Sequence, residues 1–388
     1  MDKNFAKNYC TTQICCVYLQ KYSTDMKLDT LTIIDFKNIA DERINLSDGI
    51  NCFVGDNGAG KTNILDAVHF LAMARSLSTI PDSQCIMHGK EAFLTEGKFT
   101  SDNERKEDIL CSYARRGGKT LKRNGKEYDK LSDHVGHIPI VIVSPADSAL
   151  ISDSAEERRK YLNRFISQID RNYMAALIRY NAALQERNKL LKNSPSEEML
   201  LIYDSMLSAT ADIIYNRRAE IVERLRPLVE SYYALLSEER ETIGITYKSE
   251  LQETPLMELL LASRQKDFVN EHTTSGIHRD DVIFTMGDYP LRKYGSQGQQ
   301  KSFLIALKLA EYTLLTEHCH ERPILLLDDL FDKLDMRRVA QLLRVVGGEI
   351  FGQILITDCN KHRLERTLGD AEVKYQLFSI SNGKATTL

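Results

Sequence analysis

The chain has 388 residues, 43% of them hydrophobic and 27% charged, with a formal net charge of −4. That length and balance allow one large α/β domain with a smaller companion, and the negative charge excludes a generally basic nucleic-acid coat, so any nucleic-acid contact needs a local basic patch. The apolar runs fall short of the ~20 residues that cross a bilayer, which argues against a membrane partner, and eight scattered cysteines with no C-x-x-C pair suggest neither a zinc site nor a disulfide framework, which fits a reducing cytosol.

Residues 1–26 differ in texture from the rest. Lys3 and Lys7 precede a short run, Ile14 to Leu19, that Gln20 and Lys21 end, too short and too polar for a secretory signal. The segment reads as a frayed tail or a start placed too early, with Met26 just before the first clean strand. Leu31 and Ile33 alternate with Thr30 and Thr32, the pattern of a half-buried strand. Asn51 to Val54 runs into a glycine-rich turn, and a helix follows from Lys61 with Ile64, Val68 and Leu71 on one face. Glu91 to Asp129 reads as hairpins turned at Gly117-Gly118 and Asn124-Gly125. Val141-Ile142-Val143 is a further buried strand.

Near Ser152 the texture turns helical and stays so to about Glu239. Ser154 with Glu157 forms a capping-box pattern, and Ser194-Pro195-Ser196-Glu197 a second, with Pro195 at the first helical position. A helix from Arg171 to Lys192 would be roughly 30 Å long, a compact arm without a sustained heptad repeat. Strands return from Glu241. Ile324 to Leu327 is a continuous apolar strand of the buried parallel kind, Ile354 to Ile356 another, and Tyr375 to Ile380 closes the chain. The expected layout is an α/β head split by an insertion: 27–151 and 241–388 form the head, and 152–240 the helical arm.

Three elements carry chemistry. Gly55-Asp56-Asn57-Gly58-Ala59-Gly60-Lys61-Thr62 satisfies G-x-x-x-x-G-K-[ST] in full, between an apolar strand and a helix. Its glycines let backbone N–H groups turn toward phosphate oxygens, and the helix that follows offers its positive end to the same anion. Lys61 supplies a point charge between β- and γ-phosphates, and Thr62 a hydroxyl for Mg2+. Ile324-Leu325-Leu326-Leu327-Asp328-Asp329 ends a buried strand in two carboxylates, which is costly unless they bind something. Asp328 suits the Mg2+ shell, and Asp329 suits a general base for the attacking water. Ser296-Gln297-Gly298-Gln299-Gln300 opens a helix 32 residues before Asp328. Ser296, Gly298 and Gln299 there make a second anion site, which points to one nucleotide shared head to tail by two subunits.

In this order the three elements resemble the ABC/SMC class of ATPases, whose signature usually reads S-G-G-Q where this chain has Ser296-Gln297-Gly298-Gln299. Asp332-Lys333-Leu334-Asp335 stands where that class carries its D-loop. The chain is more similar still to the RecF family, over roughly residues 27–388. The shared features are Leu31-Thr32-Ile33-Ile34-Asp35-Phe36-Lys37-Asn38-Ile39, the phosphate loop, Gly276-Ile277-His278-Arg279-Asp280-Asp281, and Leu326-Leu327-Asp328-Asp329 with Leu334-Asp335. It departs from the family at Ile277, where proline is usual, and at Asp332-Lys333, where Ser-Glu is usual. The strand after the acidic pair ends in Thr357-Asp358, without the switch histidine of transporter ATPases. Gln84 occupies the Q-loop position. The resemblance implies an ABC/SMC-type P-loop ATPase head with an inserted helical arm, using ATP and Mg2+ and hydrolysing ATP weakly with DNA stimulation. It also implies an ATP-dependent homodimer at gapped or single-strand/double-strand junction DNA in the cytoplasm, which works with RecO and RecR to load the recombinase.

The densest basic run holds Arg115, Arg116, Lys119, Lys122, Arg123, Lys126 and Lys130. On a hairpin it can track phosphates, or it can be a solvated face. Arg158, Arg159 and Lys160 are a second candidate, and His278 and Arg279 suit either nucleotide, DNA or internal hydrogen bonds. Two other functions stand against the main reading. A transporter nucleotide-binding subunit would want a switch histidine and less chain between Thr62 and Ser296. An SMC-like structural protein would want a longer arm.

Overall fold

The alternation around Leu31 and Ile33 becomes the strand Thr24–Phe36, with Leu28, Leu31, Ile33 and Phe36 fully buried. The computed structural model describes residues 24–78, 80–102, 105–193, 196–237, 241–329, 336–348, 350–370 and 373–388. Thr24 and Asp25 already pair in parallel with Glu321 and Arg322, so the boundary expected at Lys27 falls inside a paired strand. The expected tail otherwise lies outside the described residues.

The described residues divide into two compact units. Those within 1–147, 231–239 and 297–388 make up the first, and those within 148–230 and 240–296 the second. The helical insertion is therefore larger than the arm expected over 152–240. The strands Ile243–Lys248 and Asp281–Met286 pair with each other, and with Tyr289–Pro290 they make a small antiparallel sheet of their own. Alternation gives a strand's faces but not which sheet it joins, so these strands read like a resumption of the head.

The first unit holds two sheets. One runs in the order Lys384–Thr387, Tyr375–Ser381, Ile50–Val54, Ile354–Asp358, Ile324–Leu327, Ile140–Val143. Its Lys384–Thr387 edge pairs antiparallel, and its four other pairings are parallel. Ile50–Val54, Ile140–Val143, Ile324–Leu327 and Ile354–Asp358 are buried at every position, as unalternating apolar runs require. The other sheet is a seven-stranded, mainly antiparallel one built on Thr24–Phe36, Ile39–Asn45 and the hairpin strands between Ala92 and Glu127. The turns fall where expected: Gly118, Asn124 and Gly125 take positive φ of 73°, 51° and 79°.

The helix Lys61–Met73 is buried on nearly every side, not on the single face its Ile64, Val68 and Leu71 suggest. Leu65, Ala67, Phe70 and Ala72 are as inaccessible as those three, and they share one core with Phe36 and Phe93 of one sheet and Leu355 and Phe378 of the other. Phe70 meets Phe36 and Phe93 edge-on at 5.9 and 5.1 Å; such pairs contribute about 0.5–1.5 kcal/mol each beyond area burial. Gln353 joins the two sheets: its amide donates to Leu28 O and Ser47 O, and its oxygen accepts from Leu28 N. The helix Gln297–Cys319 is likewise buried from Ser302 to Thr316.

The second unit contains the helices Ala155–Ile169, Arg171–Leu191 and most of Glu197–Ser237, which tolerates Pro227 within its 41 residues. The Arg171 helix ends within a residue of expectation. Ser154 stands at the N-cap of its helix without a side-chain cap bond. At the second expected capping box, Ser194 and Pro195 lie outside the described residues, and the Ser196 hydroxyl accepts from Met199 N at 3.4 Å. Buried polar groups tie this unit together. Arg187 bonds Asp204, Asp267 and Thr273, and Arg218 bonds Tyr173, Asn163, Asp280 and Ile277 O.

Candidate nucleotide-binding site

The phosphate loop leaves the buried strand Ile50–Val54 and turns into the helix at Lys61. Gly55 is forced by proximity: a Cβ there would stand 2.2 Å from Ile380 O of the neighbouring strand. Gly60 is the helix N-cap with φ of 114°, a conformation that side chains resist. No side chain caps this helix and its first turn carries no acid, so its N–H groups remain available to an anion. Lys61 is 8% exposed and its Nζ donates to Gly55 O and Asp56 O at 2.7 and 2.9 Å, within the loop.

Thr62 and Asp328, 266 positions apart, are in direct contact: Thr62 Oγ1 donates to Asp328 Oδ1 and Oδ2 at 2.9 and 3.1 Å. Parallel pairing of Ile354–Asp358 with both Ile50–Val54 and Ile324–Leu327 carries the acidic strand end to the loop. Burial raises the Asp328 carboxyl above its ordinary value, against bonds from Thr357 and Thr62 that favour the carboxylate, while Asp329 adds to the rise. A hydroxyl and a carboxylate meeting beside a phosphate cradle form an all-oxygen donor pair that suits Mg2+.

Several residues that hold this site escape the linear motifs. Thr357 lies near the end of the strand Ile354–Asp358. Its hydroxyl donates to Asp328 Oδ1 at 2.7 Å and accepts from Asp329 N at 2.9 Å, holding the Asp328 carboxylate and the Asp329 backbone. Asp329 takes a positive φ of 44° at this turn. Asn38 donates to Gly58 O at 3.0 Å and accepts from Asn63, and Gly383 N donates to Ala59 O at 2.8 Å. The only sequence signal for Asn38 was its place in the Leu31–Ile39 segment.

Ser296 and Gln297 are exposed where the helix Gln297–Cys319 begins, with Gly298 and Gln299 half-buried in its first turn. Gln84 is exposed in the turn Asp82–Gln84. The D-loop residues Asp332-Lys333-Leu334-Asp335 lie outside the described residues.

The basic hairpin separates by strand periodicity. Lys119, Leu121 and Arg123 share one face of Gly118–Arg123, and only Leu121 among them is apolar. Lys119 Nζ donates to Ala74 O at 2.5 Å, pairs with Asp82 at 2.6 Å and lies over Phe70. Arg123 holds buried Glu107 through two bonds of 3.0 and 2.7 Å. Burial pushes the Glu107 carboxyl up, but Arg123 and His137 outweigh that and hold it below its ordinary value. Lys119 and Arg123 are thus internal ties, which corrects their expected place on a DNA face. Arg115, Arg116 and Lys126 are exposed and Lys122 is half-exposed.

The other basic candidates are also engaged. Arg158 forks onto Asp281 at 2.7 and 3.1 Å, Arg159 donates to Asp280 O, and Lys160 pairs with Glu156 and Glu157. His278 bonds Tyr180 and Thr273 O, and burial drops its imidazole to about 4. Its role is the internal one; Arg279 beside it is exposed. No described helix is long and apolar enough to cross a membrane.

The family model described as the RecF/RecN/SMC N terminal domain matches residues 27–386. The chain is 42% identical over 360 residues to the DNA replication and repair protein RecF of Bacteroides thetaiotaomicron, covering 92% of this chain and 98% of that one. It is 43% identical over the same length to the RecF of Parabacteroides distasonis, with the same shares of each chain covered. The fold matches the recombination mediator protein RecF-ATP of the RecFOR pathway with a TM-score of 0.84 at 31% identity, over 95% of this chain and 98% of that chain. An Smc head domain bound to the C-winged helix domain of ScpA shares the fold at a TM-score of 0.55 and 15% identity, over 93% and 96% of the two chains. With a complete phosphate loop, its acidic partner strand and this likeness along nearly the whole length, the chain belongs to the RecF family of DNA replication and repair proteins.

Proposed function

We propose that the chain is an ATP-dependent DNA-binding protein of recombinational repair and replication restart, acting in the cytoplasm at gapped or single-strand/double-strand junction DNA with RecO and RecR. The observation that carries this reading is the Thr62–Asp328 contact beside Lys61 and an uncapped helix N-terminus. Backbone N–H groups of Gly55, Asp56, Asn57, Gly58, Ala59 and Gly60 and the Lys61 ammonium hold the phosphates. Thr62 and Asp328 hold Mg2+, which when bound neutralises charge on the β- and γ-phosphates. Asp329, whose backbone N–H is held by Thr357, orients and deprotonates the attacking water. Ser296, Gly298 and Gln299 reach the nucleotide of a second copy, so ATP joins a homodimer and slow hydrolysis releases it. Arg115, Arg116, Lys122 and Lys126 track DNA phosphates.

ATP hydrolysis measured with and without duplex DNA tests this. The proposal expects slow turnover that DNA raises, and turnover indifferent to DNA would refute it. A transporter subunit is disfavoured by the lack of a histidine directly after the strand ending in Thr357-Asp358, and an SMC-like tether by the short arm.

A further inference from the structure

Asp329 also belongs to a second cluster. Asp329, Asp358 and Cys359 bring a carboxylate oxygen, a second carboxylate oxygen and a thiol sulfur within 4.8 Å of one another. Asp358 has no solvent exposure. Its Oδ1 accepts from Asn360 N and from Arg363 Nη2, both at 2.8 Å. Its Oδ2, also buried, has no hydrogen-bond partner among the described residues. Leaving a buried carboxylate oxygen without a donor is costly. The start of the helix Lys361–Asp370 accounts for Oδ1 but not for Oδ2. Cys359 is exposed and gives the cluster an opening to solvent.

We propose that Asp329, Asp358 and Cys359 form a cation site for a thiophilic divalent ion such as Zn2+ or Co2+, separate in chemistry from the all-oxygen Thr62–Asp328 pair. The donor set supports that class, because a thiolate with two carboxylates selects borderline ions over Mg2+. Tetrahedral ligands at zinc bond lengths stand roughly 3.5 Å apart, so the three donor atoms, now within 4.8 Å of one another, close up on the ion. Arg363 on Oδ1 orients the Asp358 carboxylate so that Oδ2 faces the ion, as groups behind metal ligands do. Ligation displaces the Cys359 thiol proton to solvent. One consequence rests on the reading of Asp329 as the base for water: an ion on that carboxylate blocks hydrolysis and leaves nucleotide binding intact.

Titration of the full chain with Co2+ in excess Mg2+ tests the site through the near-ultraviolet thiolate-to-cobalt absorption, which oxygen ligands do not produce. The site predicts this band in the unaltered chain and in Cys319→Ser, its loss in Cys359→Ser, and its displacement by Zn2+. No band, or a band that survives Cys359→Ser, overturns the site. A Cys359-dependent band together with hydrolysis that Zn2+ does not inhibit upholds the site and overturns the role given to Asp329.

Discussion

Buried charge is arranged oppositely in the Arg187 network of the second unit and at the acidic strand end of the first. In the second, the Arg187 guanidinium and Asp204 and Asp267 are wholly inaccessible, and Arg187 and Arg264 stand against those two acids. Positive and negative charges match there, and Thr273 and Thr274 take up further bonding capacity. In the first unit Asp328, Asp329 and Asp358 gather three carboxylates. Of the nearby cations, Arg363 serves Asp358, while Lys61 donates to loop carbonyls. A matched network holds a fold together. An acidic surplus at the end of a buried strand suits cations; burial is what chiefly raises the Asp328 carboxyl, and the neighbouring Asp329 adds to the rise.

The sharpest way to break this comparison is to unbalance the matched network. Arg187→Ala strands Asp267 in the interior and should cost about 3–5 kcal/mol, read as a lowered unfolding midpoint in denaturant. An unchanged midpoint would show that the network does not hold the second unit. At the acidic site, Lys61→Arg and Lys61→Ala should cut ATP turnover by about 10²–10³-fold without lowering stability. Turnover near the unaltered level in both would remove the loop from the mechanism.

Asp328→Asn should separate stability from function. A carboxyl whose folded value lies above its unfolded one costs stability as pH rises through that interval, so the amide should keep or raise the ligand-free melting temperature while Mg2+-dependent nucleotide binding is lost. In the unaltered chain Mg2+ and a proton compete for the same carboxylate. Its apparent affinity should therefore fall as pH drops through the raised Asp328 value, and a flat profile would argue against Asp328 as a ligand. The smallest effect belongs to the hairpin. Neutralising Arg115, Arg116, Lys122 or Lys126 singly should make the salt dependence of DNA binding shallower by about 0.9 per contact. Lys119→Ala and Arg123→Ala should lower stability instead.

The phosphate loop and the acidic strand end were legible because each is local: eight consecutive residues set the loop's curvature, and four apolar residues place the acids at the mouth of a buried strand. What joins them was not legible. Thr357 meets Asp328 and Asp329 across parallel pairing, and Gly383 meets Ala59 from the turn between Tyr375–Ser381 and Lys384–Thr387, contacts that no spacing records. The basic run misled for a related reason. Composition counts Lys119 and Arg123 with their neighbours, whereas strand alternation turns both toward Asp82 and Glu107, and nothing in the run itself says which face is covered. The insertion was drawn too short because the strands Ile243–Lys248 and Asp281–Met286 carry no mark of the sheet they join.

The central claim is that ATP held at Lys61 and Thr62 joins two copies through Ser296, Gly298 and Gln299. Gel filtration of the full chain with and without ATP and Mg2+, beside a Ser296→Arg chain, tests it most directly. The account predicts a shift from monomer to dimer with ATP that Ser296→Arg abolishes while ATP still binds. A chain that binds ATP and stays monomeric, or a Ser296→Arg chain that dimerises as before, would contradict it.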